Sequence, residues 1–440
     1  MNSKINIVME GFVDPNGPGA AVGVCQGDDP PHVDGFGLAD LEWGIPITPD
    51  TVFRIGSLTK QFTAAAILLL AEDGKLQIDD PIQSVLPDYP GAERGVTIRH
   101  LLTHTSGIQN FNTLPTFPER TDLTVPEIIE LFKNLPPNFA PGERLAFCNS
   151  GFVLLGAIIE AVSGMAYRTF LLERIFRPLG MRQTRYLYDE PIVPKRARGY
   201  SVGAKGIRNA RTLSMTLPYA AYGLGSTVED LLTWRHALRN GQVISAQSYA
   251  AMIAPTRLND GSLIDVGFGQ LDLRYRDRTA ITHGGGINGF SARMTQFPED
   301  DLIVVVLSNL DTFPTERAHL ALARTALALP DLPAQPRIDL PEQDLVRCAG
   351  VYEMDDGFGR LMPFTIRSDA GALVAPFPTP QSRYEPFAAT GFQYVVDPEF
   401  TLHFEQQGDA GFERMTIEGP MRSPSQGPTL AYRAARSNAQ

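Results

Sequence analysis

Cysteine is nearly missing from this 440-residue chain: Cys25, Cys148 and Cys348 stand far apart, with no C-x-x-C spacing. That argues against a disulfide framework or a structural zinc site, and it fits a reducing compartment. Long apolar runs are lacking too; the greasiest stretch, residues 64–71, is far too short to span a bilayer. The opening segment MNSKINIVMEGFVDP meets Glu10 and Asp14 before any apolar core develops, so it does not read as a signal peptide, and a cytoplasmic protein is expected. Positive charge is in deficit, with 38 Lys and Arg against 49 Asp and Glu, a net charge of -11. That balance disfavours nucleic-acid and membrane-surface partners, which require clustered cations. Neither His104 nor His283 lies in an H-E-x-x-H or related ligand pattern, so a metal centre is not expected, and no other cofactor is expected either.

What is present is ordinary globular composition, 43% apolar and 20% charged, over a length that calls for more than one domain. Pro330, Pro333, Pro336 and Pro341 deny the backbone regular hydrogen bonding and mark a linker over residues 329–343, between a domain at 1–328 and another at 344–440. In the first domain, residues 19–24, 291–297 and 302–308 read as strands, the last two joined by a hairpin turn at 298–301. Residues 58–73 and 152–163 read as helices, closed by Gly74 and Gly164. The expectation is an α/β (α+β) domain with an antiparallel sheet flanked by helices. Beyond the linker, short runs such as 362–366, 392–396 and 401–405 alternate with Gly, Pro and Asp turns, which reads as all-β, a small sandwich or an up-and-down barrel. Gly357, Phe358 and Gly359 read as a surface turn, or as a mobile tip that reaches the site.

Chemistry concentrates first at Ser57-Leu58-Thr59-Lys60, ahead of the apolar run QFTAAAILLLA. A spacing of three residues on a helix puts a serine hydroxyl and a lysine amine on one face, near enough to share a proton. Burial disfavours the ammonium, so a neutral amine can serve as the base that activates the serine. The competing use is structural: Ser57 as a helix cap and Lys60 as a solvated cation. His283-Gly284-Gly285-Gly286 is the second feature, a histidine beside glycines that permit close backbone approach.

Context decides between these uses. VFRIGSLTKQFTAAAILLL, GKLQIDDPI, VTIRHLLTHTSGI, PGERLAFCNSGFVLLGAII, RIFRPLGM and THGGGINGFSARMTQFPEDDLIVVVLSN succeed one another in an order that resembles the serine β-lactamase and penicillin-binding-protein superfamily. Within it, the likeness is to the β-lactamase-related serine hydrolases, esterases and D-aminopeptidases. The resemblance covers about residues 19–328 and implies a β-lactamase/transpeptidase-like fold. It makes Ser57 the nucleophile, Lys60 its base and His283 a group that polarises substrate or assists proton transfer near its natural working pH. Asn149, Phe147, Gly285 and Gly286 would line the substrate, with the Gly286 and Ser57 N–H groups as an oxyanion hole. His104, in LLTHTSG, looks structural. The C-terminal segment looks like the lipocalin-type barrels appended to some relatives.

One position departs from the pattern. The superfamily's second box is Tyr-x-Asn, and here it is Phe147-Cys148-Asn149. A phenyl ring supplies volume but relays no proton. Three readings are open: Lys60 and His283 cover the proton transfers, the pocket binds without turnover, or the chain is a phenol-deletion variant that retains its ligand. Tyr222 is a further candidate to supply the missing phenol, whereas Cys148 reads as a packing residue. The expected reaction is acyl transfer from an ester or amide to water through a Ser57 acyl-enzyme, on a small-molecule or peptide substrate, with peptide cyclisation as a variant and a homodimer as a possible assembly.

Overall fold

The computed structural model describes all residues except 1, 28, 91–93, 356–360, 377–381, 396–398, 409–410, 423, 425–428 and 434–440. The expected tip at Gly357, Phe358 and Gly359 lies outside the described residues. Two compact units are present, one of residues 1–272 and 279–329, the other of residues 273–278 and 330–440. The short excursion at Leu273–Arg278 is a difference from a continuous first domain, and nothing in its composition announces it.

The first unit is built on an antiparallel sheet. Its strands are β1 (Ala20–Gln26), β2 (His32–Phe36), β3 (Arg278–Ile287), β4 (Phe290–Phe297) and β5 (Leu302–Ser308), in the spatial order β2-β1-β5-β4-β3. Strand β5, LIVVVLS, is buried along its whole length because helices cover both faces of the sheet. The hairpin from β4 to β5 has the register Phe297↔Leu302, with Asp301 in the left-handed conformation that closes the turn.

Helices α3 (Val228–Arg239) and α4 (Thr315–Ala326) pack on the sheet, while α1 (Thr59–Glu72) and α2 (Asn149–Ser163) pack on each other and carry Lys60 and Asn149. Helix α1 is buried all round from Thr59 to Leu70: its run over residues 64–70 is apolar on every face, as expected of a core helix, and the polar Thr59, Lys60, Gln61 and Thr63 of its first turns are buried with it. It starts one residue later than the sequence suggests, because Gly56–Leu58 forms a separate 3-10 turn that holds Ser57. Ser57 therefore does not cap the helix, whose preceding residue Leu58 makes no side-chain cap. Helix α2 begins three residues before the expected Phe152. The Ser150 hydroxyl donates to the Gln109 carbonyl and accepts from the Phe111 N–H, and these tertiary bonds fix the first turn. Gly164 closes it with φ +68°.

The second unit is an antiparallel sheet of strands Gly350–Asp355, Leu361–Asp369, Ala372–Ala375, Ser382–Pro386, Gly391–Tyr394, Thr401–Gly408, Gly411–Glu418 and Thr429–Arg433. Each pairs with the next, and the last returns to the first, so the sheet curls closed. Tyr352, Ile366, Leu373, Tyr384, Phe392, Leu402, Phe404 and Met415 fill it, and the helix Glu342–Cys348 adds Leu345 and Cys348. Leu273–Arg278 joins this unit by the pairing Arg274↔Arg422 and by the part-buried ion pair of Arg276 with Glu399, 2.8 Å apart.

Candidate functional site

Strand alternation sets the site. On β3, His283 and Gly285 point to the face occupied by the core around α1 and α2, while Thr282 points to the other face, where its hydroxyl lies 2.7 Å from that of Thr295 and Thr295 lies 2.9 Å from His319 Nε2 on α4. Against Gly285 runs the turn that carries Ser57, with backbone touching backbone. A Cβ on Gly285 would sit 2.1 Å from the Ile55 carbonyl oxygen, and one on Gly56, whose φ is +54°, would sit 2.6 Å from the Gly286 nitrogen. No side chain fits at either position. Gly285→Ala is accordingly expected to push β3 off the nucleophile turn, lowering turnover by on the order of 100-fold, since a shift of about 1 Å in a reacting group carries that effect. Steady-state kinetics, with a thermal melt to confirm folding, checks it.

The lysine is the centre of the arrangement. Lys60 Nζ lies 2.9 Å from Ser57 Oγ, 2.7 Å from Asn149 Oδ1 and 2.9 Å from the Ala221 carbonyl oxygen. Two of these partners accept only, so a neutral amine satisfies them with its two N–H groups and keeps its lone pair for the serine O–H. Lys60 is fully buried, and burial holds its pKa well below the ordinary lysine value. The rings of Phe147 and Phe152, with centroids 4.5 and 5.3 Å from Nζ, oppose this in part, because π faces attract a cation. That attraction is worth about 0.5–2 kcal/mol, less than the several kcal/mol that burying a charge costs, so the net shift is toward the neutral amine. The solvated-cation reading of Lys60 is excluded.

Asn149 is aimed by its surroundings. Its Nδ2 donates to Asn112 Oδ1 at 3.1 Å, which turns Oδ1 toward the lysine, and its backbone N–H donates to Asn110 Oδ1 at 2.9 Å. His104, with φ +59°, accepts the Cys148 N–H on Nδ1 at 3.0 Å and stacks 4.4 Å from the Phe147 ring, so it anchors the Phe147-Cys148 backbone. The Cys148 thiol donates to the Ile108 carbonyl oxygen, 3.2 Å away, and burial pushes its pKa up to about 11, which leaves no thiolate at neutral pH. Tyr222 is buried, and burial raises its phenol well above the usual value.

His283 is brought to the same place but in a different state from the one expected, a ring titrating near the natural histidine value. Burial first, and then the neighbouring Lys60, push its pKa down to about 3, so the ring is neutral. Nδ1 lies 2.5 Å from the Gly284 carbonyl oxygen; that partner only accepts, so the proton sits on Nδ1 and Nε2 keeps its lone pair.

Ser57, Lys60, Asn149, Phe147, His283, Gly285 and Gly286 thus converge. Sequence reasoning missed the Ala221 carbonyl, Asn110, Asn112 and Phe152, which reach the site through tertiary contacts that no spacing encodes. Among the described residues no cluster of three metal-ligating side chains occurs, and no single helix is long and apolar enough to cross a membrane.

A half-buried serine sharing a hydrogen bond with a buried amine three residues on, under a glycine strand of an α/β layer, defines a serine hydrolase of the S-x-x-K class. The profile of the Beta-lactamase family matches residues 7–329, and the chain belongs to that family. It is 31% identical over 360 residues to penicillin-binding protein 4* of Bacillus subtilis (strain 168), across 76% of this chain and 79% of that protein. To D-aminopeptidase of Gluconobacter oxydans (strain 621H) it is 26% identical over 327 residues, 73% of this chain and 60% of that one. Among solved structures, D-amino acid amidase from Ochrobactrum anthropi SV3, complexed with D-phenylalanine, superposes with a TM-score of 0.67 at 26% identity, covering 74% of this chain and 98% of that chain.

Proposed function

We propose that this enzyme hydrolyses amides or esters of D-amino acids or short D-amino-acid peptides, with Ser57 as nucleophile and Lys60 as base. The observation that carries the roles is the 2.9 Å contact between a fully buried amine and Ser57 Oγ. Neutral Lys60 takes the hydroxyl proton as Oγ attacks the carbonyl carbon, and the Ser57 and Gly286 N–H groups receive the oxyanion. Lys60 returns that proton to the leaving amine or alcohol; water then attacks the acyl carbon, one of its protons passes through Lys60 to Ser57 Oγ as the ester bond breaks and the acid leaves, and neutral His283 offers Nε2 as a hydrogen-bond acceptor. The likeness to an amidase and an aminopeptidase for D-amino acids supports this choice of substrate.

A second reading rests on Phe147, whose ring faces Lys60 where the family's tyrosine would place a hydroxyl. In it acylation proceeds and deacylation is slow. Intact-mass measurement after incubation with a fluorophosphonate is expected to show one adduct per chain, absent from Ser57→Ala; no adduct on folded protein rejects Ser57 as the nucleophile. Persistence of an acyl adduct from D-phenylalanine p-nitrophenyl ester selects the second reading. The strands of the C-terminal unit pair in sequence order and close, which supports a lipocalin-type, up-and-down barrel for that unit.

A further inference from the structure

Helix α3 packs on β1 and β5 and shares a buried core with Ile303, on the face of the sheet that also carries Ile281 and Gln296, which lie opposite one another in register. Arg235 of α3 is 1% exposed, and its Nε, Nη1 and Nη2 are all buried without a hydrogen-bond partner. Among the described residues no carboxylate answers it. Its neighbours are the Tyr249 ring, with the centroid 5.8 Å from Cζ, and Arg239 one turn on, a second cation already paired with Asp301. A guanidinium does not shed its proton in a protein, and an isolated buried charge is among the costliest features a fold can hold.

The same tyrosine touches a second unanswered donor. Its hydroxyl donates to Gln296 Oε1 at 3.0 Å, and the Nε2 of that amide is buried with no partner. A guanidinium and an amide NH2 are donors only. Water would bring two hydrogens that need acceptors of their own, whereas a halide only accepts and also supplies the missing negative charge.

We propose that Arg235, with Gln296 beside the same tyrosine, holds one buried chloride-sized anion between α3 and the sheet. The site is structural: it clamps the helix to β4, which carries Gln296, and takes no part in the chemistry at Ser57. Crystals grown from sodium bromide without chloride are expected to show an anomalous peak against the Arg235 guanidinium. In solution, the melting temperature in chloride is expected to exceed that in gluconate, an anion too large for the site, by about 5 °C at equal ionic strength. Arg235→Met is expected to abolish that difference. Ordered water alone at Arg235, no bromide there, or equal melting temperatures of the unaltered protein in the two salts would overturn the proposal. If Arg235→Met does not fold, the bromide peak in the unaltered protein decides it.

Discussion

Lys60→Met is expected to lower kcat on a D-amino-acid amide by on the order of 10⁴-fold, the upper end of what a positioned base contributes. Methionine keeps the volume and the burial, so the fold survives, but the Asn149 Oδ1 and Ala221 oxygens lose the donor that lies 2.7 and 2.9 Å away. Leaving such buried acceptors unpaired costs about 1–3 kcal/mol each, partly offset because an amine no longer has to be buried. The pH profile of the unaltered enzyme gives a second check. In the proposed role Lys60 works as the neutral amine, and burial holds its pKa well below the usual lysine value. The rate is therefore at its plateau at alkaline pH and is lost as pH falls through that lowered pKa. His283, pushed down to about 3, adds no limb near the ordinary histidine range. A rate still climbing at the usual lysine pKa, or a Lys60→Met enzyme with near-normal turnover, removes the lysine from its role.

Phe147→Tyr is expected to move activity the other way. The ring already lies over Lys60 Nζ with its centroid at 4.5 Å and is pinned by His104 at 4.4 Å, so a phenol enters a preset orientation beside the base. A general acid-base group restored there is worth about 10²- to 10⁴-fold. Pre-steady-state kinetics on a chromogenic ester locates the gain: a burst in the Phe147 enzyme that disappears in Phe147→Tyr assigns the defect to deacylation. Unchanged rates in both phases show that Lys60 and His283 already move every proton the reaction needs.

Much of this site is legible in the residues because it is local. Ser57 and Lys60 meet by helical spacing, and His283, Gly285 and Gly286 meet the nucleophile because successive glycines allow a strand to touch a turn. The hairpin between β4 and β5 is equally local, and its strands fall within a residue of the expected ends. What the sequence hides is long-range. The Ala221 carbonyl comes to Lys60 from 161 residues away, and Asn112 aims Asn149 across 37. Neither a carbonyl nor a loop asparagine has a spacing that predicts its partner. The state of His283 is hidden for the same reason, since burial and the neighbouring amine are properties of the fold and not of T-H-G-G-G.

The excursion at Leu273–Arg278 bears on how the two halves can be separated. Strand β3, which bears His283 and the glycines, continues directly in the chain from a segment whose Tyr275 hydroxyl and Arg276 guanidinium both reach the Glu399 carboxylate. Cutting the gene after residue 329 would remove Glu399 and take its carboxylate from Tyr275 and Arg276, at the root of the strand that bears His283 and the glycines. Dissecting this protein into a stand-alone hydrolase thus requires redesigning those six residues, not only choosing a place to stop.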